Sequence, residues 1–288
     1  MSGAGPMVSG PGTVYFLSDY GRRDEFVGVV HAVLRRLSPA AVVIDLTHEV
    51  PPFDVRAGAG ALLRCLPHLG PGVVLAVVDP GVGGPRRGLL LDAGESTGGP
   101  RWFVGPDNGL LVPATEAAGG IAEAVELAQE PGRDAATFDG RDLFAPVAAA
   151  VLLGQPARSV GRPVPADELV RLPPPVVEQG VLADGRGFLR AEVTWVDRFG
   201  NVQLAAPVES LPDEVSLVVV TIDPHGERVP DDRGSAQLAR RVRTFSDLER
   251  GEVGVLGDAN GHLAVVVREG SGAERFGAHV GMLVDLLW

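Results

Sequence analysis

The loop Asp79-Pro80-Gly81-Val82-Gly83-Gly84-Pro85-Arg86-Arg87 sets one carboxylate and two guanidinium groups directly after a run of almost pure Val, Leu and Ala. A carboxylate can take a proton from attacking water, and a guanidinium can hold that acid or stabilise hydroxide character. The glycines permit unusual backbone angles and close ligand approach. Gly-x-Gly-x-x-Gly is not matched, and a Walker loop would need a lysine that is missing here. Plain pairing of Asp79 with Arg86 or Arg87 is the competing structural role. Asp19, in Ser18-Asp19-Tyr20-Gly21, could take both hydroxyls of a ribose on its two oxygens, or simply cap the turn. Asp45-Leu46-Thr47-His48 is a third acidic strand end. The stretch Thr137-Phe138-Asp139-Gly140-Arg141-Asp142 places an aromatic and two acids before a helix, with Asp142 its expected N-cap. Further on, Asp197-Arg198-Phe199-Gly200-Asn201 offers a stacking ring and an amide suited to an adenine edge, or a plain strand-end turn.

Elements that could position these groups are legible from periodicity. Residues 14–17, 41–46 and 73–78 read as buried strands, and 24–37 and 54–66 as amphipathic helices between them. Strand–helix–strand alternation implies parallel pairing with right-handed crossovers. Residues 89–91 and 101–104 read as further strands, and 142–153 as a helix closed by Gly154. The expected architecture is an α/β N-terminal domain with a mainly parallel sheet over 13–170. A Pro-rich linker over 171–180 follows, then a smaller all-β, barrel-like C-terminal domain over 181–288, with strands at 190–196, 216–222, 253–256, 262–267 and 282–287.

Composition removes several classes of function. With 45% apolar and 22% charged residues, the 288-residue chain is globular. Its net charge of −12 argues against nucleic acid or an anionic membrane as partner. No lysine occurs, which removes Schiff-base chemistry. The single cysteine, Cys65, forms no disulfide within the chain and reads as a small buried hydrophobe. The six histidines are scattered without ligand spacing, so no metal is expected. No signal peptide and no apolar run long enough to span a bilayer is evident, and a cytoplasmic protein is expected.

Six ordered blocks resemble the S-adenosylmethionine hydroxide adenosyltransferase family, the hydrolytic relatives of fluorinase and chlorinase. They are Leu17-Ser18-Asp19-Tyr20-Gly21, the stretch from Ile44 through Asp45-Leu46-Thr47-His48 to Val55, Val78-Asp79-Pro80-Gly81-Val82-Gly83, Val104-Gly105-Pro106-Asp107-Asn108-Gly109-Leu110-Leu111, Gly140-Arg141-Asp142-Leu143-Phe144-Ala145-Pro146 and Asp197-Arg198-Phe199-Gly200-Asn201. The resemblance implies that S-adenosylmethionine is substrate rather than cofactor, with adenosine and L-methionine as products and no other cofactor. It also implies a homotrimer with sites at subunit interfaces. By motif position Asp19 would hold the ribose, and Phe53 and Phe138 would wall the reaction centre. Phe199, Asn201 and Phe245 would hold adenine, residues around Asp258 to Gly261, Asn260 among them, would face the methionine end, and Asp197 would also belong to the substrate-binding set. Asp79 and Arg86 match two of the three groups around the attacking water. Where the hydrolases have the third, a His, this chain has Asp139. Two other readings are a binding protein for S-adenosylmethionine or adenosine without turnover, and a halide-dependent synthase of 5′-halo-5′-deoxyadenosine.

Overall fold

Strand formation follows the β-branched runs. In the computed structural model, which describes residues 12–94, 98–128, 137–223 and 236–288, the chain forms two units, Met1–Leu172 and Pro173–Trp288. The first contains β1 (Thr13–Ser18), α1 (Phe26–Leu37), β2 (Val42–Thr47), α2 (Val55–Cys65), β3 (Val73–Val77), β4 (Gly88–Asp92), β5 (Trp102–Pro106), α3 (Val112–Ala118), β6 (Glu123–Leu127), α4 (Ala145–Leu152) and β7 (Gly161–Pro163). The sheet order is β2-β1-β3-β5-β4-β6-β7. The pairings β1–β2, β1–β3 and β3–β5 are parallel, while β4 and β7 run against their neighbours.

Period-two alternation splits the core between the two faces of this sheet. Phe16, Val73, Leu75 and Val77 pack with Val30 and Leu34 of α1 and with α4. Leu17, Val74, Ala76 and Phe103 pack with Ala59 and Leu62 of α2 and with α3. Every residue of β3 is buried, as a central strand covered on both faces requires. Gly105 permits the close approach of β5 to β3, because a Cβ there would lie 2.2 Å from the Ala76 carbonyl oxygen.

The second unit contains β8 (Val177–Val181), β9 (Gly187–Val196), β10 (Val202–Pro207), β11 (Leu217–Asp223), β12 (Gln237–Arg241), β13 (Val253–Gly257), β14 (His262–Val267), α5 (Gly272–Phe276) and β15 (Leu283–Leu287). The order β10-β14-β13-β12-β11-β15-β9 closes through a β10–β9 pairing, so seven strands form a barrel and β8 adds to β9 outside the ring. Its interior is aliphatic, built on Leu189, Val193, Leu204, Val220, Val255, Val265 and Leu286.

Two local expectations change. Most of β8 falls within the stretch read as linker. It is an exposed edge strand, where the preceding prolines remove no ladder hydrogen bond. Asp142 caps no helix. Its carboxylate takes the Arg141 guanidinium at 2.6 and 2.8 Å, and α4 begins only after a π-turn over Gly140–Phe144.

Candidate active site

At the carboxyl end of β3 the chain leaves the buried core through Val78 and places Asp79. Asn108 holds this exit by donating its side-chain amide to the Val78 carbonyl at 2.8 Å. Of the two arginines that close the loop, Arg87 turns to Asp107, donating from Nε at 2.8 Å. Arg86 turns to Asp79 in a two-pronged pairing, with Nε 2.9 Å from Oδ1 and Nη2 on Oδ2. The same Nη2 also donates to Asp139. The three side chains are 11%, 6% and 4% exposed for Arg86, Asp79 and Asp139 respectively.

Burial alone would lower the Arg86 pKa, but the hydrogen bonds and charges of Asp79 and Asp139 outweigh it and raise the value above the ordinary one. A permanently charged guanidinium therefore bridges two acids in a site of low dielectric. Its plane lies over the Phe144 ring, with the guanidinium carbon 5.3 Å from the centroid. Nη1 hydrogen-bonds to none of the described residues, so its two N–H groups are available to a ligand or solvent oxygen.

Asp139 directly precedes the π-turn, an irregularity common at functional sites. The turn is set against Tyr20, whose hydroxyl would lie 2.1 Å from a Cβ at Gly140. Tyr20 in turn meets Phe138 edge-on at 5.6 Å and Phe26 at 5.6 Å, so the three rings form one cluster. Burial, then the charges of Asp19, Asp79 and Asp139, push the Tyr20 phenol well above its ordinary pKa. Tyr20 and Phe26 were not singled out in the sequence. The hydroxyl's place beside three carboxylates comes from tertiary packing.

Asp19 follows β1, and its Oδ2 accepts the Phe53 backbone N–H at 2.9 Å. Burial raises its pKa, the Phe53 bond opposes this, and the charge of Asp79 adds to the rise. Phe53 holds φ at 68°, a left-handed conformation that is costly for an aromatic residue, and its ring is 70% exposed. A strained, exposed aromatic tied to an acid is a common signature of a ligand contact.

In the second unit a cavity of about 1150 Å³ is lined by Asp197, Phe199, Asn201, Phe245 and Asn260 among others. The Asp197 carboxylate organises this wall from behind. Oδ1 accepts the backbone N–H groups of Phe199 (2.8 Å) and Asn201 (2.9 Å), and Oδ2 accepts the Asn201 side-chain amide at 2.8 Å. The Asn201 side-chain oxygen and the exposed Phe199 ring remain for the cavity that both residues line. Phe245 starts a short turn fixed by a capping box between Thr244 and Asp247. Asn260 donates its backbone N–H to Asp258, whose other oxygen takes the Gln203 amide. Trp195, also in the wall, lies in a strand read only for its apolar pattern, and Gln203 lies in β10, which the apolar pattern did not reveal.

Two of the six histidines, scattered in sequence, come together in space. His31 and His48 converge with Asp45 although seventeen sequence positions separate them, because β1, α1 and β2 fold them onto one end of the sheet. Local spacing carries no trace of that.

An acid–arginine–acid cluster at strand ends of an α/β sheet, with an aromatic-walled cavity on a β-barrel, defines a two-unit protein built to act on a small molecule. Residues 14–161 match the SAM hydroxide adenosyltransferase N-terminal domain, and 191–285 match the C-terminal domain of the same family. The chain belongs to this family. It is 46% identical over 274 residues to a Salinispora tropica protein named (R)-S-adenosyl-L-methionine hydrolase, covering 93% of this chain and 95% of that one. A Thermus thermophilus protein of the same name is 40% identical, covering 95% and 99%. The crystal structure of an uncharacterized conserved protein from Thermotoga maritima superposes with a TM-score of 0.78 at 32% identity, covering 95% and 99%. Among the described residues no helix is long and apolar enough to cross a membrane.

Proposed function

We infer that this chain hydrolyses S-adenosylmethionine to adenosine and L-methionine. The water oxygen bonds to the ribose 5′ carbon while the carbon–sulfur bond breaks opposite it. The electron pair stays on sulfur, which leaves as the neutral thioether of methionine, and the proton lost by water goes to a carboxylate. Sulfonium is already a good leaving group, so no acid need assist it. What remains for the protein is to align the nucleophile and exclude competing water.

The observation that carries this reading is the buried Asp79–Arg86–Asp139 cluster, in which Nη1 of the guanidinium has no hydrogen-bond partner among the described residues. In this reading Asp79 is the general base, and Arg86 fixes it while Nη1 donates to the attacking oxygen. Asp139 stands where the family's hydrolases carry His and is the second proton acceptor. Asp19 takes the ribose hydroxyls, and Phe53 and Phe138 wall the reacting carbon. Phe199, Asn201 and Phe245 hold adenine, with Asp197 as their support, and Asn260 meets the methionine end. Substrate and water are the only reactants, so no cofactor enters. The working form in this reading is a homotrimer, in which the first unit of one copy meets the second unit of its neighbour.

Two buried carboxylates disfavour a halide at the same position, since a desolvated anion beside them is repelled. The test is incubation with S-adenosylmethionine followed by chromatography, with both sulfonium epimers assayed because the relatives are named for the (R) form. Adenosine and methionine in equal amounts are expected from wild type, and far less from Asp79→Asn. Tight calorimetric binding with no product after long incubation would establish the binding-only alternative instead.

A further inference from the structure

Behind the Asp19 turn lies a second cluster that the proposed hydrolysis does not use. His31 projects from α1, Asp45 from β2, and His48 from the turn after β2. Asp45 Oδ1 lies 2.8 Å from His31 Nε2 and 3.0 Å from His48 Nε2, and the three atoms fall within 4.8 Å of one another. His48 is 1% exposed. Despite its nearness to Asp45, its Nε2 makes no hydrogen bond with any described residue. The other ring nitrogen is engaged, 2.8 Å from Ser18 Oγ, and the Ser18 oxygen also accepts the Tyr20 backbone N–H at 3.3 Å.

We propose that His31, Asp45 and His48 bind a divalent transition ion of the zinc class, with solvent completing its coordination. Two imidazole nitrogens and one carboxylate oxygen are the donor set such ions select, whereas magnesium and calcium prefer oxygen throughout. A buried ring nitrogen facing, without a well-directed hydrogen bond, a carboxylate oxygen already shared with His31 is what a cation placed among these lone pairs would satisfy. Ligand atoms around a zinc ion at about 2.0–2.2 Å stand roughly 3–3.5 Å apart. The two Asp45 spacings therefore need only a few tenths of an ångström of opening, while the two ring nitrogens, within 4.8 Å of each other, need only approach to complete the set. An outer shell is already built. Ser18 fixes the far nitrogen of His48, and the Phe16 ring packs edge-on against the imidazole at 4.6 Å. The partly exposed His31 and Asp45 leave a solvent side through which the ion and its waters can enter.

The His48 carbonyl accepts the Gly21 N–H at 2.7 Å, so an ion here would tie α1 and β2 to the segment carrying Asp19. Its role is to brace that segment, and it touches no reacting atom.

The test uses the full-length protein, stripped with chelator, dialysed, and titrated with zinc ion in a calorimeter and with cobalt ion in a spectrophotometer. One ion per chain is expected, with visible cobalt absorption and a rise in melting temperature on adding zinc. His31→Gln and Asp45→Asn, at partly exposed positions, should each weaken zinc affinity about tenfold or more, while His279→Gln, at an exposed position of the second unit, leaves it unchanged. Substoichiometric zinc binding by wild type at micromolar concentration, or a His31→Gln variant that binds zinc as wild type does, would overturn the proposal.

Discussion

At the scale of single residues, the site centres on one guanidinium between two acids. Asp79→Asn keeps the shape but removes the base, and kcat should fall by about 10²-fold or more, read as adenosine released per unit time. Arg86→Met should be costly to folding, because it strands two carboxylates that are almost fully buried. A loss of roughly 3–5 kcal/mol is expected in denaturant unfolding, as for breaking a buried ion pair from one side. Adding Asp79→Asn and Asp139→Asn to Arg86→Met should recover much of it. Asp139→His would supply the residue that the resemblance leads one to expect there, and kcat should rise. Asp19 makes a pH prediction with two opposite signs. Its pKa is raised in the folded protein by burial, opposed by the Phe53 bond and reinforced by Asp79. Folding is thus penalised while Asp19 is ionised, and that penalty lifts as pH falls from the raised value toward 3.8. Ribose binding needs the carboxylate, so KM for S-adenosylmethionine should rise over the same window and Asp19→Asn should abolish that rise.

At the scale of elements, the site depends on how the Asp139 turn meets the end of β1. Gly140→Ala should cost about 1–3 kcal/mol through overpacking, because its Cβ would lie 2.1 Å from the Tyr20 hydroxyl oxygen. In a Tyr20→Phe background that cost should shrink, which a double-mutant cycle of unfolding free energies measures. Periodicity alone located β1, α1, β2, α2 and β3 to within a few residues, because their apolar faces are regular and their ends carry Asp, Gly or Pro. It passed over β6, whose Glu-Ala-Val-Glu-Leu favours helix on local propensity, and β7, which spans only three residues. It also passed over β10 and β12, where alanine, glutamine and arginine dilute the strand signal and pairing within the barrel decides. Asp79 and Arg86 were legible because one loop carries both. The contact of Arg86 with Asp139, fifty-three positions away, was visible only through the order of family blocks. The His31–Asp45–His48 cluster was invisible, since a helix face and a strand end contribute it jointly.

At the scale of the whole molecule, the acid–arginine–acid cluster and the aromatic cavity belong to different units of the chain. If trimer sites combine units from neighbouring copies, the protein should sediment as three chains of 30.0 kDa. Asp79→Asn and Asn201→Ala chains, each weak alone, should regain activity when unfolded and reassembled together, with about one site in four fully intact. The central claim is that water itself becomes the 5′ hydroxyl of the product, and an isotope reads this directly. Turnover of S-adenosylmethionine in water labelled with heavy oxygen, analysed by mass spectrometry, should give adenosine carrying the label at its 5′ oxygen and unlabelled methionine, with both suppressed in Asp79→Asn. Unlabelled adenosine, a 5′-halogenated nucleoside in chloride buffer, or undiminished labelling by Asp79→Asn would contradict it.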